Sequence, residues 1–410
     1  MTLKTGVFHP GTQHSWQTAL AFQEGRQLGW YATSVFYDPG QWPYRLEALV
    51  PGRLGARLHR EFSRRYLPAL APALVRQFGL WEWIETAARR AGRQRTADWA
   101  NRRGNQAFGH AVARLAEREP VDVLWGYDTS SLEVFRWAKR RGIRCILDQT
   151  IGHCASLNRV MLAEQARNPE FFLDSYVPAS AEEVDRQNEE LELADVIVVG
   201  SEFCAGSLVE NGCKPSKIRI VPYGFDETLF AGAAPKRHRK EARPVRFLFV
   251  GLVHPRKGIA PLLQAFEQIP ADAAKLTLVG GLAIPRATFQ RYERRTEHLG
   301  SLPRPEVVKH FFEADCFILP SLFEGGGIVL YEAAAAGLGI IQSAFCGDGV
   351  RDGKNGIVLP EVTPETITTA VSSVLNDPEQ LARWQDAAWQ MRQERTWQCY
   401  RDKVRTIAST

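Results

Sequence analysis

Apolar and polar positions alternate along this chain with two periods, and the switches between them predict a series of strands and helices. Thr5 to His9 is a short apolar strand pattern ending in the turn Pro10-Gly11-Thr12-Gln13-His14. Ser15 to Leu28 repeats at helical spacing, with Ser15 placed as its N-cap. Trp30 to Asp38 alternates as a second strand. Val121 to Asp128, Arg144 to Thr150, Asp195 to Ser201 and Lys217 to Tyr223 continue the strand series. Helical stretches fall between them, at Ser131 to Arg141, within Leu157 to Leu193 and at Glu202 to Asn211. Strands alternating with helices predict a parallel, doubly wound sheet.

A second series of the same kind follows. Val245 to Val250, Lys275 to Val279, Cys316 to Leu319 and Gly339 to Ser343 read as strands. Ile259 to Gln268, Pro285 to Glu297, Glu306 to Glu313 and Ile328 to Ala336 read as helices. Between the two series, residues 229–244 are polar, basic and bounded by prolines, as a domain linker is. The predicted fold class is therefore α/β, with two Rossmann-like doubly wound parallel-sheet domains. One spans 1–228, with a helical insertion at about 43–106, and the other spans 245–384. A C-terminal helical segment, about 385–410, carries Trp389 and Trp397 and is expected to pack back on the first domain.

Composition narrows the class. A length of 410 residues suits two domains, and 45% hydrophobic with 24% charged residues describes a globular protein. Met1-Thr2-Leu3-Lys4 leads straight into a strand pattern, so no signal peptide is read there, and no run of about 20 apolar residues occurs. The seven cysteines are scattered without a CxxC, which suits buried thiols in a reducing compartment and disfavours a zinc site. The net charge of +5 is uneven: between Arg53 and Gly104 twelve arginines face four acids. That segment reads as a solvated helical face, as a surface for anionic lipid headgroups with Trp81, Trp83 and Trp99 as anchors, or as a site for an acidic glycan or protein partner. No aromatic stacking fold or DNA-binding motif accompanies the charge, so nucleic acid is disfavoured.

Two motifs carry chemistry. Strand Cys316 to Leu319 runs into Pro320-Ser321-Leu322-Phe323-Glu324-Gly325-Gly326-Gly327 and then into a helix former run. Strand, glycine loop and helix together offer helix N-terminal amides to an anion. Carboxylates stand at both ends, Glu324 and Glu332. On one helix they would lie roughly 12 Å apart, too far for a glycosidase acid/base pair at about 5–9.5 Å. The spacing suits one elongated ligand held at two points. The second motif, Phe249-Val250-Gly251-Leu252-Val253-His254-Pro255-Arg256-Lys257-Gly258, sits at the first strand–helix turn of the second domain. Gly251 permits close approach there, and Arg256 and Lys257 offer positive charge to phosphates.

These motifs, with Val221-Pro222-Tyr223-Gly224-Phe225-Asp226 and Asp352-Gly353-Lys354-Asn355-Gly356, resemble a GT-B glycosyltransferase of the retaining family 4 (group 1) type. The resemblance implies two domains facing across a cleft, with the donor on the second and the acceptor on the first. It implies a retaining transfer of a sugar from a nucleotide-diphosphate sugar to a hydroxyl acceptor, in polysaccharide or glycolipid assembly. Glu324 would meet hydroxyls of the transferred sugar and Glu332 the ribose. Arg256 and Lys257 would hold the diphosphate, and amides near Gly325, Gly326, Gly327 and Ile328 would add helix-terminal stabilisation. Gly11, by layout, would approach the donor phosphates. No metal and no cofactor beyond the donor co-substrate is expected, and no Asp-x-Asp element is present. Relatives carry an arginine where Leu252 stands and a histidine after the fourth strand. Here Asp148 and His153 are the catalytic candidates nearest that place. The departure leaves an alternative open: a catalytically impaired sugar-nucleotide-binding partner of a glycan assembly complex, or another GT-B sugar-phosphate enzyme. The expected location is cytoplasmic, with peripheral contact to the inner membrane face through 53–104.

Overall fold

The computed structural model describes residues 3–11, 13–38, 44, 45, 50, 52, 55, 59, 68–79, 81, 82, 84, 85, 88, 92–231 and 243–409. The chain divides into two compact units. The first comprises Met1–Gln149, Asp185–Val198 and Arg401–Thr410, and the second Thr150–Val184 and Val199–Tyr400.

The first sheet is built from β1 (Thr5–Phe8), β2 (Leu28–Thr33), β3 (Val75–Gln77), β4 (Val123–Tyr127), β5 (Arg144–Gln149), β6 (Val196–Val199) and β7 (Ile218–Ile220). Their order is β3-β2-β1-β4-β5-β6-β7. Pairs β1–β2, β2–β3, β1–β4 and β4–β5 run parallel. β4 is buried at every position, the continuous pattern of a strand covered on both faces rather than the alternation of a half-exposed one. The chain moves outward from β1 in one direction through β2 and β3, and in the other through β4 and β5. The reversal falls between β1 and β4, where doubly wound sheets leave a crevice at the strand C-termini.

The second sheet contains β8 (Val245–Val250), β9 (Ala274–Val279), β10 (Thr296–His298), β11 (Cys316–Leu319), β12 (Gly339–Ser343) and β13 (Gly356–Leu359). Its order is β10-β9-β8-β11-β12-β13, and every pairing is parallel. The order reverses between β8 and β11, so the turns after these two strands open at the same crevice. Both motifs singled out in the sequence are those turns.

Three details differ from the sequence reading. The arginine-rich insertion is not wholly helical: it contains β3, whose three residues are too few to show a period. That strand is pinned by side chains, with Arg76 donating to both Glu119 oxygens and Gln77 Oε1 accepting the Phe36 N–H. The helix assigned to Pro285–Glu297 is only Arg286–Gln290, and Thr296–His298 turns extended to add β10 to the sheet edge. β2 ends at Thr33 rather than Asp38. Most of the proposed linker, 232–242, and residues 53, 57, 60, 64, 65, 83, 89 and 90 of the insertion lie outside the described residues.

Arg243, just after that segment, makes a two-pronged ion pair with Asp315 at 2.7 and 2.8 Å. Helix Pro378–Met391 stays with the second unit, where Trp384 Nε1 donates to the Gly353 carbonyl at 3.0 Å. Helix Trp397–Ser409 passes from the second unit into the first, where Arg401 donates to Gln17 and Arg405 to Glu24. Among the described residues no helix is long and apolar enough to cross a membrane.

Candidate active site

The basic turn begins where β8 ends. Pro255–Lys257 forms a single 3-10 turn, with Pro255 at its first position, where the missing N–H costs nothing. His254 caps it, its Nδ1 accepting the Arg256 backbone N–H at 3.1 Å. Burial, aided by the charges of Arg256 and Lys257, holds His254 below the ordinary imidazole value. The ring is thus kept neutral and able to accept that bond.

This turn is fastened to the loop after β11 at three points. The Leu322 N–H donates to the Arg256 carbonyl at 2.8 Å, and Arg256 Nη1 donates to the Phe323 carbonyl at 2.6 Å. Lys257 Nζ donates to Glu324 Oε2, and Arg256 Nη1 stands 3.4 Å from the same oxygen. The Lys257 and Glu324 side chains are 14% and 15% exposed, so the pair is largely desolvated. Burial acts to raise the Glu324 pKa, but Lys257 and Arg256 outweigh it and hold the carboxyl below its ordinary value. Burial pulls Lys257 below the ordinary lysine value, with Glu324 opposing.

The glycine loop is shaped by contact and by backbone sign. A Cβ on Gly325 would lie 1.8 Å from the Thr150 carbonyl oxygen, so only a glycine lets these segments meet. Ser201 Oγ donates to the Gly325 carbonyl from another side. Gly327 has φ +57 and is the N-cap of helix Ile328–Ala335. The Leu330 N–H donates to the Gly327 carbonyl at 2.8 Å, which closes the first turn, and the N-terminus of a helix favours an anion.

Glu332 lies on this helix, whereas Glu324 lies in the loop before it, so the single-helix separation in the sequence argument does not apply. Glu332 is 1% exposed. Both its oxygens accept from Arg304, at the start of helix Arg304–Glu313, with Nη1 to Oε2 at 3.2 Å and Nη2 to Oε1 as the second bond. Burial raises the Glu332 pKa, Arg304 opposes, and Asp226 adds to the rise.

Of the predicted residues, Arg256, Lys257 and Glu324 meet one another, Gly325, Gly326, Gly327 and Ile328 continue that loop into the helix that carries Glu332, and Gly251 directly follows β8. Leu252 is 50% exposed. His153 is buried at the start of helix Cys154–Arg167 in the same unit, directly after a stretch whose Thr150 and Gly152 abut Gly325 and Phe323. Its Nδ1 accepts the Ala155 N–H, an N-cap bond. Asp148 and Gly11 lie in the first unit. Asp148, fully buried at the end of β5, meets His14 Nε2 at 3.2 Å. A Cβ on Gly11 would lie 2.9 Å from His9 Nε2, so this glycine makes room for that ring. His9 is itself buried, and desolvation, then the nearby His14, push it down to about 3.

Sequence reasoning missed Arg304 and Glu190. Nothing local in the sequence links Arg304 to a carboxylate 28 residues on. Glu190 lies among the charged residues of helix Ala181–Leu193. In the fold it is buried and accepts the backbone N–H groups of Thr129 and Ser131, and desolvation pushes it up to about 8. Among the described residues no group of three or more His, Cys, Asp or Glu is placed to hold a metal ion.

The two parallel-sheet units, with the candidate site at the β8–β11 reversal, define a GT-B fold. Residues 232–391 match the family model described as Glycosyl transferases group 1. The chain is 28% identical over 247 residues to a D-inositol 3-phosphate glycosyltransferase of Corynebacterium glutamicum, covering 55% of this chain and 59% of that protein. It is 27% identical over 297 residues to the D-inositol 3-phosphate glycosyltransferase of Acidothermus cellulolyticus, covering 66% and 64%. It thus spans under two thirds of each relative's length. Among solved structures, Anabaena Alr3699/HepE in complex with UDP-glucose is similar over 100% of both chains, with a TM-score of 0.63 and 13% identity.

Proposed function

We propose that the protein is a retaining glycosyltransferase that moves a sugar from a nucleotide-diphosphate sugar to a hydroxyl acceptor. The observation that carries the reading is the convergence of Lys257 and Arg256 on Glu324 beside the N-terminus of helix Ile328–Ala335, with buried Glu332 on the same helix. Cations and helix amides match a diphosphate, and carboxylates on either side match hydroxyl groups. In this reading Lys257 and Arg256 hold the diphosphate, Glu324 accepts from sugar hydroxyls, and Glu332 accepts from the ribose diol. The bond from the anomeric carbon to the β-phosphate oxygen breaks as the acceptor oxygen bonds to that carbon. The acceptor's proton passes to the departing phosphate. Lys257 and Arg256 stabilise the charge that grows on the leaving group, which is where electrostatic catalysis acts.

The relatives' names make a phosphorylated polyol one acceptor to include, and assembly of a polysaccharide or glycolipid the setting. Peripheral contact with anionic lipid through residues 53–104 belongs to the same reading. It is tested by sedimentation with phosphatidylglycerol vesicles, where binding should fall as salt rises. The reaction is proposed to be metal-independent, so turnover should survive excess EDTA.

The deciding assay offers UDP-, GDP- and ADP-sugars with an acceptor panel and measures nucleotide release and glycoside formation. Turnover with one donor, reduced a hundredfold or more by Glu324→Ala, supports the reading. Donor binding without turnover, unaltered by that substitution, would instead indicate a binding module.

A further inference from the structure

The structure pairs Glu332 with a partner that the donor site does not otherwise require. Glu332 is 1% exposed and sits on the helix whose N-terminus faces the crevice. A carboxylate so placed cannot stay charged without compensation. Arg304 supplies it in the form that fits best, two parallel N–H donors meeting two oxygens. The Arg304 side chain is 48% exposed, so the pair joins a buried acceptor to a donor that reaches in from the solvent side. Arg304 is also under the influence of Asp226, in the turn that follows β7.

A ribose diol presents two O–H donors to a carboxylate much as a guanidinium presents two N–H donors. A carboxylate has about four acceptor positions, and Arg304 takes one on each oxygen, which leaves the others for a diol. We propose that Arg304 is a positioning residue for nucleotide binding: it holds the Glu332 carboxylate ionised and oriented so that it can accept from the ribose hydroxyls. This rests on the assignment of Glu332 to the ribose in the proposed function. The charged groups that act on Glu332 are Arg304, which favours the ionised form, and Asp226, which disfavours it. Without Arg304, burial and Asp226 act unopposed, and the carboxyl takes up a proton at a higher pH. A protonated carboxyl has one fewer acceptor site and donates in its place.

Nothing in this requires Arg304 to touch the nucleotide, and that separates it from an ordinary phosphate or base contact. An arginine bound to phosphate would weaken every nucleotide equally and at every pH. A residue acting through Glu332 matters only where the ribose diol is present and only where the carboxyl is not ionised by other means.

The test is calorimetric titration of the full chain with UDP and GDP and with their 2′,3′-dideoxy counterparts, between pH 6 and 9. Wild type should bind the ribonucleotide at least tenfold more tightly than the dideoxy form. If wild type binds neither UDP nor GDP, or binds ribo and dideoxy forms alike, the ribose assignment of Glu332 fails. That outcome is separate from the fate of Arg304. With the ribose preference in place, Arg304→Gln should lose tenfold or more in ribonucleotide affinity at pH 6.5. The loss should shrink as pH rises, and dideoxy binding should change less than threefold. Arg304→Lys, which keeps the charge, should stay within threefold of wild type near pH 8, and it serves as the readout if Arg304→Gln does not fold. The proposal is overturned if Arg304→Gln binds as tightly as wild type at pH 6.5, or loses the same factor at all pH values and for dideoxy nucleotides. It is also overturned if Arg304→Lys loses tenfold or more at pH 8.

Discussion

The Lys257 ammonium donates to the Glu324 carboxylate, joining two turns 67 residues apart in the chain. The two side chains follow neighbouring parallel strands at the point where the sheet order reverses. A diphosphate that takes up Lys257 would release Glu324 to accept from sugar hydroxyls, so one ion pair is exchanged for two sets of ligand bonds.

The pair has a pH signature. The folded-state pKa of Glu324 lies below its ordinary value because Lys257 and Arg256 overcome the effect of burial. A depressed carboxyl contributes stability that is present above its unfolded pKa, about 4.3, and is lost as pH falls through the lower folded value. Glu324→Gln should therefore lower stability by about 3 kcal/mol at pH 7, leaving two cations without their counter-charge. It should also flatten the dependence of stability on pH below about 4.5. Urea unfolding from pH 7 to pH 3 reads both effects.

His9 gives the opposite kind of group a measurable role. It is buried and neutral, with a folded pKa of about 3 set by desolvation and then by His14. A histidine with a lowered folded pKa contributes stability above its unfolded value, about 6.5, and loses it as pH falls. The first unit should be about 2 kcal/mol less stable at pH 5 than at pH 7 on this account. In His9→Gln that difference should disappear, as followed by urea unfolding at the two pH values.

Gly325 tests how tightly the loop is built. A methyl group there would collide with the Thr150 carbonyl, which is backbone and cannot swing aside. Gly325→Ala should displace the Phe323–Glu324 segment, cost about 2 kcal/mol, and reduce turnover at least a hundredfold. Thermal unfolding and the transfer assay check the two parts separately.

Much of this architecture is legible from pattern alone. Continuous apolar runs such as Phe247–Val250 and Cys316–Leu319 are what strands buried on both faces look like, and the glycines between them mark the turns. The two turns of the second unit are legible because each is a short, contiguous motif at a strand end. β3 and β10 are not, because three-residue strands carry no period and are held by side chains and edge pairing. Arg304 and the His14–Asp148 contact are invisible for another reason: each joins positions distant in sequence that only the sheet order brings together. Glu190, a charged residue in a charged helix, becomes informative only once its burial is seen.

The central claim is that one nucleotide-sugar occupies the crevice between the turns after β8 and β11. Calorimetric titration of the preferred nucleotide-sugar into wild type, Lys257→Ala and Glu332→Ala tests it most directly. The account predicts saturable binding with one site, weakened about tenfold to a hundredfold by Lys257→Ala through loss of a charge-assisted phosphate contact, and at least tenfold by Glu332→Ala. Binding of equal strength in all three proteins would contradict it.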